Sequence, residues 1–302
     1  MKKFFLTVLV ALSLGAVAFA QDEDPTMAKA GSHLTIGVNG SYGGLWLKGT
    51  QTGVTKLGFG MGGDLSYAYF FTNHVGIRVG VGAELISSGF RSSEAVVSEG
   101  SCLVHYAGST TPLNANYWYS TPNVQENYES LYGMVPIQLA LQGNHWYANL
   151  GVKLAIPVRV RCSDYDYDAT EVYYKGSVKA SAGVPTGYIP DGTVAEQTGS
   201  YTIYNFRADN NLVNPFFVMG AAELGYRFGC DCGHSWQIGC FADIAINAAT
   251  PESEHTGLLY ATDGTNSGNH HYTNGVMRTD LVNTFRLVNF GLKLSYDFSL
   301  SK

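Results

Sequence analysis

Past residue 20 the chain has no run of about 18 uninterrupted apolar residues, so no later segment can cross a bilayer as a helix. Charge is scarce. Asp, Glu, Lys and Arg make up 14% of the residues, against about 25% in a typical soluble domain. No basic run interrupts a formal charge of −6, which argues against nucleic acid as a partner. Cysteine is sparse as well: Cys102, Cys162, Cys230, Cys232 and Cys240 are the whole set. Residue 21 is Gln rather than Cys, which excludes a lipoprotein anchor.

Glycine and tyrosine are abundant, with 36 and 20 copies. The N-terminus begins Met1-Lys2-Lys3, continues through an apolar run from Phe4 to Ala20 and closes on Ala18-Phe19-Ala20. A basic start, an apolar centre and an A-x-A end form a secretory signal peptide, with cleavage near Ala20. A membrane anchor would need about 20 apolar residues; this run falls short, and the acidic stretch from Gln21 to Asp24 follows at once. The expected organisation is a signal peptide at 1–20, a short periplasmic tail at 21–32 and one domain at 33–302.

That domain shows the two-residue period of strands, whose side chains point alternately to opposite faces. Eight alternating stretches are predicted, at about 33–45, 57–71, 75–87, 131–142, 146–158, 215–228, 235–247 and 288–298. Pro136 falls inside the fourth, where a bulge is the expected accommodation. Short turns at Thr72 to His74, Gly143 to His145 and Gly229 to His234 alternate strictly with long polar stretches at 88–129, 159–214 and 248–283. That rhythm predicts an all-β fold, an eight-stranded antiparallel up-and-down transmembrane β-barrel with short periplasmic turns and long extracellular loops.

The strand charges Asp64, Arg78, Glu84, Lys153, Glu223, Arg227, Asp243, Lys293 and Asp297 all share the parity opposite to the apolar residues. A soluble carrier of lipocalin type would turn its apolar face inward around a ligand. Here Tyr67, Tyr69, Trp146, Tyr226, Phe228, Trp236, Tyr296 and Phe298 sit on the apolar face near the short turns, as residues of a membrane interface do. The apolar face is therefore expected to meet lipid and the charges to line the lumen. Counting depth from the short turns pairs Lys153 with Glu223 and Asp243 with Lys293. Such a network reads as a salt-bridged plug, with a small gated conductance as the alternative.

The last predicted strand, V-N-F-G-L-K-L-S-Y-D-F from Val288 to Phe298, resembles the C-terminal strand of small outer-membrane β-barrels of the OmpA/OmpX-like class. The resemblance rests on a polar residue, a glycine and then alternating apolar or aromatic residues: Asn289, Gly291, Leu294, Tyr296 and Phe298. It implies an assembly signal read by the barrel-assembly machinery, residence in the outer membrane of a Gram-negative (diderm) bacterium, and contact with outer-membrane lipid. It also implies a role in envelope integrity and surface display, with an extracellular ligand met through loops 88–129, 159–214 and 248–283.

Few residues suggest chemistry. Hydrolytic catalysis needs a nucleophile beside a base, and the eight histidines all fall in turns, in loops or at a strand end. His270-His271 in a loop reads as a solvated pair. Asp164, Asp166 and Asp168 have the spacing of a calcium loop but lack its glycine and later glutamate. In an exported chain disulfides are permitted; a Cys102–Cys162 bridge is one pairing allowed by two long loops on the same side. Cys230 and Cys232 are too close for a relaxed bridge, and His234 beside them leaves too few ligands for a metal site. The expectation is a non-enzymatic barrel without cofactor or metal, against a small-solute pore and a secreted carrier.

Overall fold

The computed structural model describes residues 29–49, 53–92, 94–104, 113–168, 170–176, 188–194, 197–205, 212–213, 215–229, 234–251, 258–265, 268–279 and 281–300. The signal-peptide segment, Cys230 and Cys232 lie outside them. Eight long strands form a closed ring: β1 (Gly31–Gly49), β2 (Gly53–Phe70), β3 (Val75–Ser92), β4 (Val124–Gln142), β5 (Trp146–Tyr167), β6 (Phe217–Gly229), β7 (Ser235–Ala245) and β8 (Val282–Ser299). Each pairs antiparallel with its sequence neighbours, and β8 returns to β1 from His33↔Ser299 to Gly49↔Val282. Closure leaves no barrel edge to pair with another chain.

All eight predicted strands are present. Most run further than the alternation of apolar residues suggested, chiefly toward the extracellular end. β5 continues to Tyr167 and β4 begins at Val124, because the inward face there carries Glu126, Tyr128, Ser130 and Tyr132 instead of aliphatics. Gly31 and Ser32 pair with Phe70 and Tyr69, so the barrel takes the last two residues assigned to the tail. Pro136 does not create a bulge. The ladder with β3 stops at Val79↔Ile137 and resumes at Gly82↔Met134 in the same register. The register shifts of the β4–β5 pair lie higher, between Asn127 and Tyr128 and between Leu131 and Tyr132.

The described parts of the long loops are largely β-structure. Val96–Val104, Leu113–Thr121, Thr170–Gly176 and Tyr188–Val194 form a separate four-stranded sheet from two different loops. Gln197–Asn205 pairs with the upper half of β5, from Tyr167 down to Arg159. Leu259–Thr265 and Gly268–Thr273 form a hairpin, followed by a turn of 3-10 helix at Val276–Arg278.

The wall is apolar outside. Ile36, Val38, Met61, Val81, Ile137 and Leu292 are between half and two-thirds exposed, and no charged side chain interrupts the outward positions of this belt among the described residues. At the short-turn end an aromatic girdle borders it. Trp236 and Tyr296 meet at 4.9 Å, Tyr296 and Phe298 at 4.6 Å, and Tyr69 and Phe71 at 5.5 Å, all edge to face. An apolar outer belt with aromatic borders is the surface of a transmembrane barrel. Ile137→Arg, in mid-belt, is expected to cost about 2–4 kcal/mol in a folding titration into lipid vesicles. Asn127→Arg, outward on the same strand but above the belt, is expected to cost almost nothing; equal costs would misplace the belt.

Candidate functional site

Because successive side chains alternate, the polar parity of every strand converges on the lumen. Arg78, Glu84, Glu223, Arg227, Asp243, Lys293 and Asp297 are buried there, with Asp64 and Lys153 partly so. The glycines of these faces make room for the long charged side chains. A Cβ at Gly37 would lie 2.7 Å from Lys293 Cε and 2.9 Å from Asp64 Oδ1, and one at Gly239 would lie 2.5 Å from the Tyr147 hydroxyl.

The ion pairs differ from those that depth counting predicts. Lys153 Nζ donates to Asp243 Oδ2 at 2.7 Å and lies 5.1 Å from the centre of the Phe241 ring. Lys293 Nζ bridges Asp64 Oδ1 at 2.8 Å and Glu223 Oε2 at 3.4 Å. Neither the Lys153–Glu223 nor the Asp243–Lys293 pair is formed. Lys153 sits opposite Met219 and Glu223 opposite Asn149; likewise Lys293 sits opposite Gly239 and Asp243 opposite Asn289. Both expected pairs are four residues out of register, because strands in a closed barrel are staggered by its shear. The pairs that Lys153 and Lys293 form join strands two places apart in the ring, across the lumen.

Arg78 completes the middle of the network, its Nη2 3.4 Å from Asp64 Oδ2 and its Nε 2.8 Å from Ser66 Oγ. Asn289, read from sequence as part of an assembly signal, is a buried lumen residue whose amide donates to Glu84. Of the other residues in that motif, Leu294 is exposed on the outer wall, and Tyr296 and Phe298 stand in the girdle.

Toward the periplasmic end the structure adds partners that sequence reading left out. His33, fully buried, places Nδ1 2.9 Å from Asp297 Oδ2, while Thr35 Oγ1 donates to Asp297 Oδ1 at 2.8 Å. Arg227 Nη2 lies 3.6 Å from the same carboxylate, and Nη1 donates to Gln142 Oε1. The carbonyl of Lys29, just before β1, accepts from Gln142 Nε2 at 3.0 Å and lies 3.1 Å from His33 Nε2. The signal was available: His33 has the parity of Thr35, Asn39 and Ser41, which is the lumen parity.

Above the charges the interior changes character. Leu45, Ile86, Phe90, Met134, Ala155, Phe217, Met219, Phe285 and Leu287 all point inward and are buried in one core. Phe217 packs edge to face on Tyr132 at 6.1 Å and on Phe285 at 5.8 Å. Over this seal Glu126, wholly buried, gathers the extracellular elements. Its Oε2 accepts from the hydroxyls of Tyr128 and Tyr201, and its Oε1 from the Tyr167 hydroxyl and, at 2.8 Å, from the amide of Val276. Cys162 is a free thiol in the same core, donating to the Asp164 carbonyl at 3.3 Å, so the Cys102–Cys162 bridge is not made here; the side chain of Cys102 lies outside the described residues. So do the side chains of His270 and His271.

Two separate cavities interrupt the lumen, of about 30 Å³ between Asn39, Glu84, Lys153 and Lys293 and about 20 Å³ between Thr35, Arg78, Tyr147 and Asp297. Each has room for a water molecule or two. No three His, Cys, Asp or Glu side chains gather as metal ligands among the described residues.

The chain matches no protein-family model and no curated protein. Solved structures with distant likeness include Ail, the attachment invasion locus protein of Yersinia pestis, at 7% identity over 89% of this chain and 99% of that one, with a TM-score of 0.26. The outer-membrane protein OprG of Pseudomonas aeruginosa aligns at 10% identity over 90% and 99%, with a TM-score of 0.31. The outer-membrane protease OmpT of Escherichia coli aligns at 7% identity over 88% and 95%, with a TM-score of 0.23. Similarity at this level carries no role over to this chain.

Proposed function

We propose that this protein is a non-enzymatic outer-membrane barrel of a Gram-negative (diderm) bacterium that stays closed and holds a β-structured head outside the cell, serving envelope integrity and contact with an extracellular ligand. The observation that carries this reading is the interior: a cross-linked charged network beneath a hydrophobic seal, on which the extracellular strands are built. A pore would need a continuous wet path, and the packed seal interrupts one. A secreted carrier would need its apolar face inside, and that face is on the outer wall. The His33–Asp297 pair is no catalytic dyad, since the second imidazole nitrogen is held against the Lys29 carbonyl. A hydrolytic base needs that nitrogen free for its nucleophile.

Cell fractionation tests the proposal. The protein should sediment with the outer membrane, require detergent for release, and migrate faster on a gel unheated than after boiling. Protease added to intact cells should cut within residues 159–214 and spare the turns at 72–74 and 143–145, since exposed loop tips are the usual nick sites. Recovery in the soluble fraction would end the membrane assignment, and cutting confined to the short turns would invert the topology.

A further inference from the structure

The residues just before β1 do not run straight out of the barrel at its short-turn end. Lys29 is exposed there, yet its carbonyl accepts from Gln142 Nε2 on β4 at 3.0 Å, three places round the ring from β1. One residue on, the Ala30 amide donates to Asn73 Oδ1 at 3.2 Å, in the turn between β2 and β3. Ser32 then accepts from the Leu300 amide at 2.7 Å, just past β8. Residues 29–32 thus form a strap across this mouth of the barrel. Gln142, which holds the strap, and Asp297 both line the smaller lumen cavity, so the strap lies over that cavity.

The strap's second anchor is His33, and both of its ring nitrogens meet acceptors. Nδ1 lies 2.9 Å from Asp297 Oδ2, and Nε2 lies 3.1 Å from the Lys29 carbonyl. A carbonyl oxygen only accepts, and so does a carboxylate already held by Arg227 and the Thr35 hydroxyl. Neutral imidazole has a single N–H and serves one of the two; imidazolium serves both. The remaining neighbours carry no charge: the Phe70 ring of β2 meets His33 edge to face at 5.1 Å, and β4 contributes the Gln142 amide, which shares the Lys29 carbonyl. The charged groups that bias the ring are therefore Asp297 from β8 and, through it, Arg227 from β6. Among the described residues below the hydrophobic seal, five acids of the lumen face stand against four bases. A charged His33 supplies the fifth cation.

We propose that residues 29–32 are a pH-sensitive strap over the short-turn mouth, with the imidazolium of His33 as its latch. Charged, His33 donates to Asp297 and to the Lys29 carbonyl together, and the strap is closed. Neutral, its one N–H stays on the carboxylate, the stronger acceptor, and the Lys29 carbonyl faces a ring nitrogen that has no proton to give. The strap is then held at Lys29 by Gln142 without His33, and its release uncovers the cavity beneath. These contacts belong to the folded barrel and hold on whichever side of the membrane the short turns lie.

Trypsin reads the strap, because Lys29 is the basic residue of segment 21–32 and the bond cut after it carries the latched carbonyl. The purified barrel in detergent micelles is digested from about pH 5 to about pH 8, and a free peptide of residues 21–33 measures the protease's own pH dependence. Cleavage is followed as the appearance of an Ala30 N-terminus. Relative to the peptide, the wild type should be cut slowly in acid and roughly tenfold or more faster once His33 is neutral, the weight of one hydrogen bond to a charged group. His33→Gln should be cut fast with no step in pH. Gln142→Leu, which removes the strap's other donor, should be cut faster at every pH and keep the step, and His145→Gln, in a neighbouring turn, should leave it unchanged. Nitrogen NMR spectra of the wild type should show both ring nitrogens of His33 protonated in acid, with one proton lost where cleavage accelerates. A wild type without a step would overturn the latch, as would a step that survives His33→Gln or disappears in His145→Gln, or an imidazole that keeps a single proton throughout. Faster migration of each unheated variant confirms a folded barrel; should His33→Gln not fold, the wild-type spectra and the Gln142→Leu profile decide.

Discussion

Lys153→Met is expected to destabilise the barrel by about 3–5 kcal/mol, because it leaves the Asp243 carboxylate buried without its cation. Asp243 is almost fully enclosed, and its Oδ2 accepts from Lys153 at 2.7 Å. Met keeps most of the apolar stem against Phe241, so the loss reads the charge rather than a cavity. Adding Asp243→Asn should recover much of the stability, since deleting both charges of a buried pair costs far less than deleting one. Adding Glu223→Gln instead should recover less, because the nearest cation to Glu223 is Lys293. Urea titrations of the barrel in vesicles measure these proteins together with the Asp243→Asn single variant, which completes the cycle. Additive costs for the Lys153 and Asp243 changes would show that the two do not interact. In planar bilayers the wild type should pass negligible current and Lys153→Met should leak; steady wild-type conductance tuned by these charges would restore the pore reading.

The choice of Asp243 as partner shows where sequence reading stops. Which face each strand turns to lipid was legible, because the period of two assigns every side chain once a few aromatics and charges are placed. Ile137 and Gln138, adjacent in sequence, are one exposed and one buried as alternation requires. The short turns fix register between the strands they join. They do not fix it across β5–β6 or β7–β8, which are joined by long connections, and there the shear displaced both predicted ion pairs by four residues. Register across those seams is a property of the closed ring.

A second gap has a different cause. The upper strands were hidden because their inward positions are polar by name: Glu126, Tyr128, Ser130 and Tyr132 on β4 and Tyr167 on β5, all buried, with Tyr165 half-buried beside them. A tyrosine ring buries as an apolar body while its hydroxyl finds a partner, so a tyrosine-rich polar segment reads as loop and folds as strand. The same chemistry built the cluster around Glu126, which no local pattern announces. Its members come from β4, β5, Gln197–Asn205 and the turn at Val276–Arg278, up to 150 residues apart.

Glu126→Ala should therefore loosen the extracellular head while leaving the membrane belt intact. The carboxyl accepts from three tyrosine hydroxyls and one backbone amide, and a buried donor left unsatisfied costs roughly 1–3 kcal/mol. Amide exchange at Val276, and at Met277, whose N–H donates to the Tyr201 hydroxyl at 3.3 Å, is expected to quicken by on the order of tenfold or more. Protection of the β8 amides from Phe290 to Leu294 should not change. Burial pushes the Glu126 carboxyl above its ordinary range, and the hydrogen bonds from Tyr128, Tyr167, the Val276 amide and Tyr201 oppose that shift without cancelling it. A raised value in the folded state means that the neutral carboxyl is preferred there. Its contribution is complete at pH below the ordinary carboxyl range and is lost as pH rises through the raised value. Opening free energies at Val276, corrected for the intrinsic pH dependence of exchange, should accordingly fall from acid toward neutral pH in the wild type. Glu126→Gln, a neutral isostere that keeps one acceptor oxygen, should give a flat profile. A wild-type profile that instead rises with pH would mean that the four donors outweigh burial and that an ionised Glu126 clamps the head.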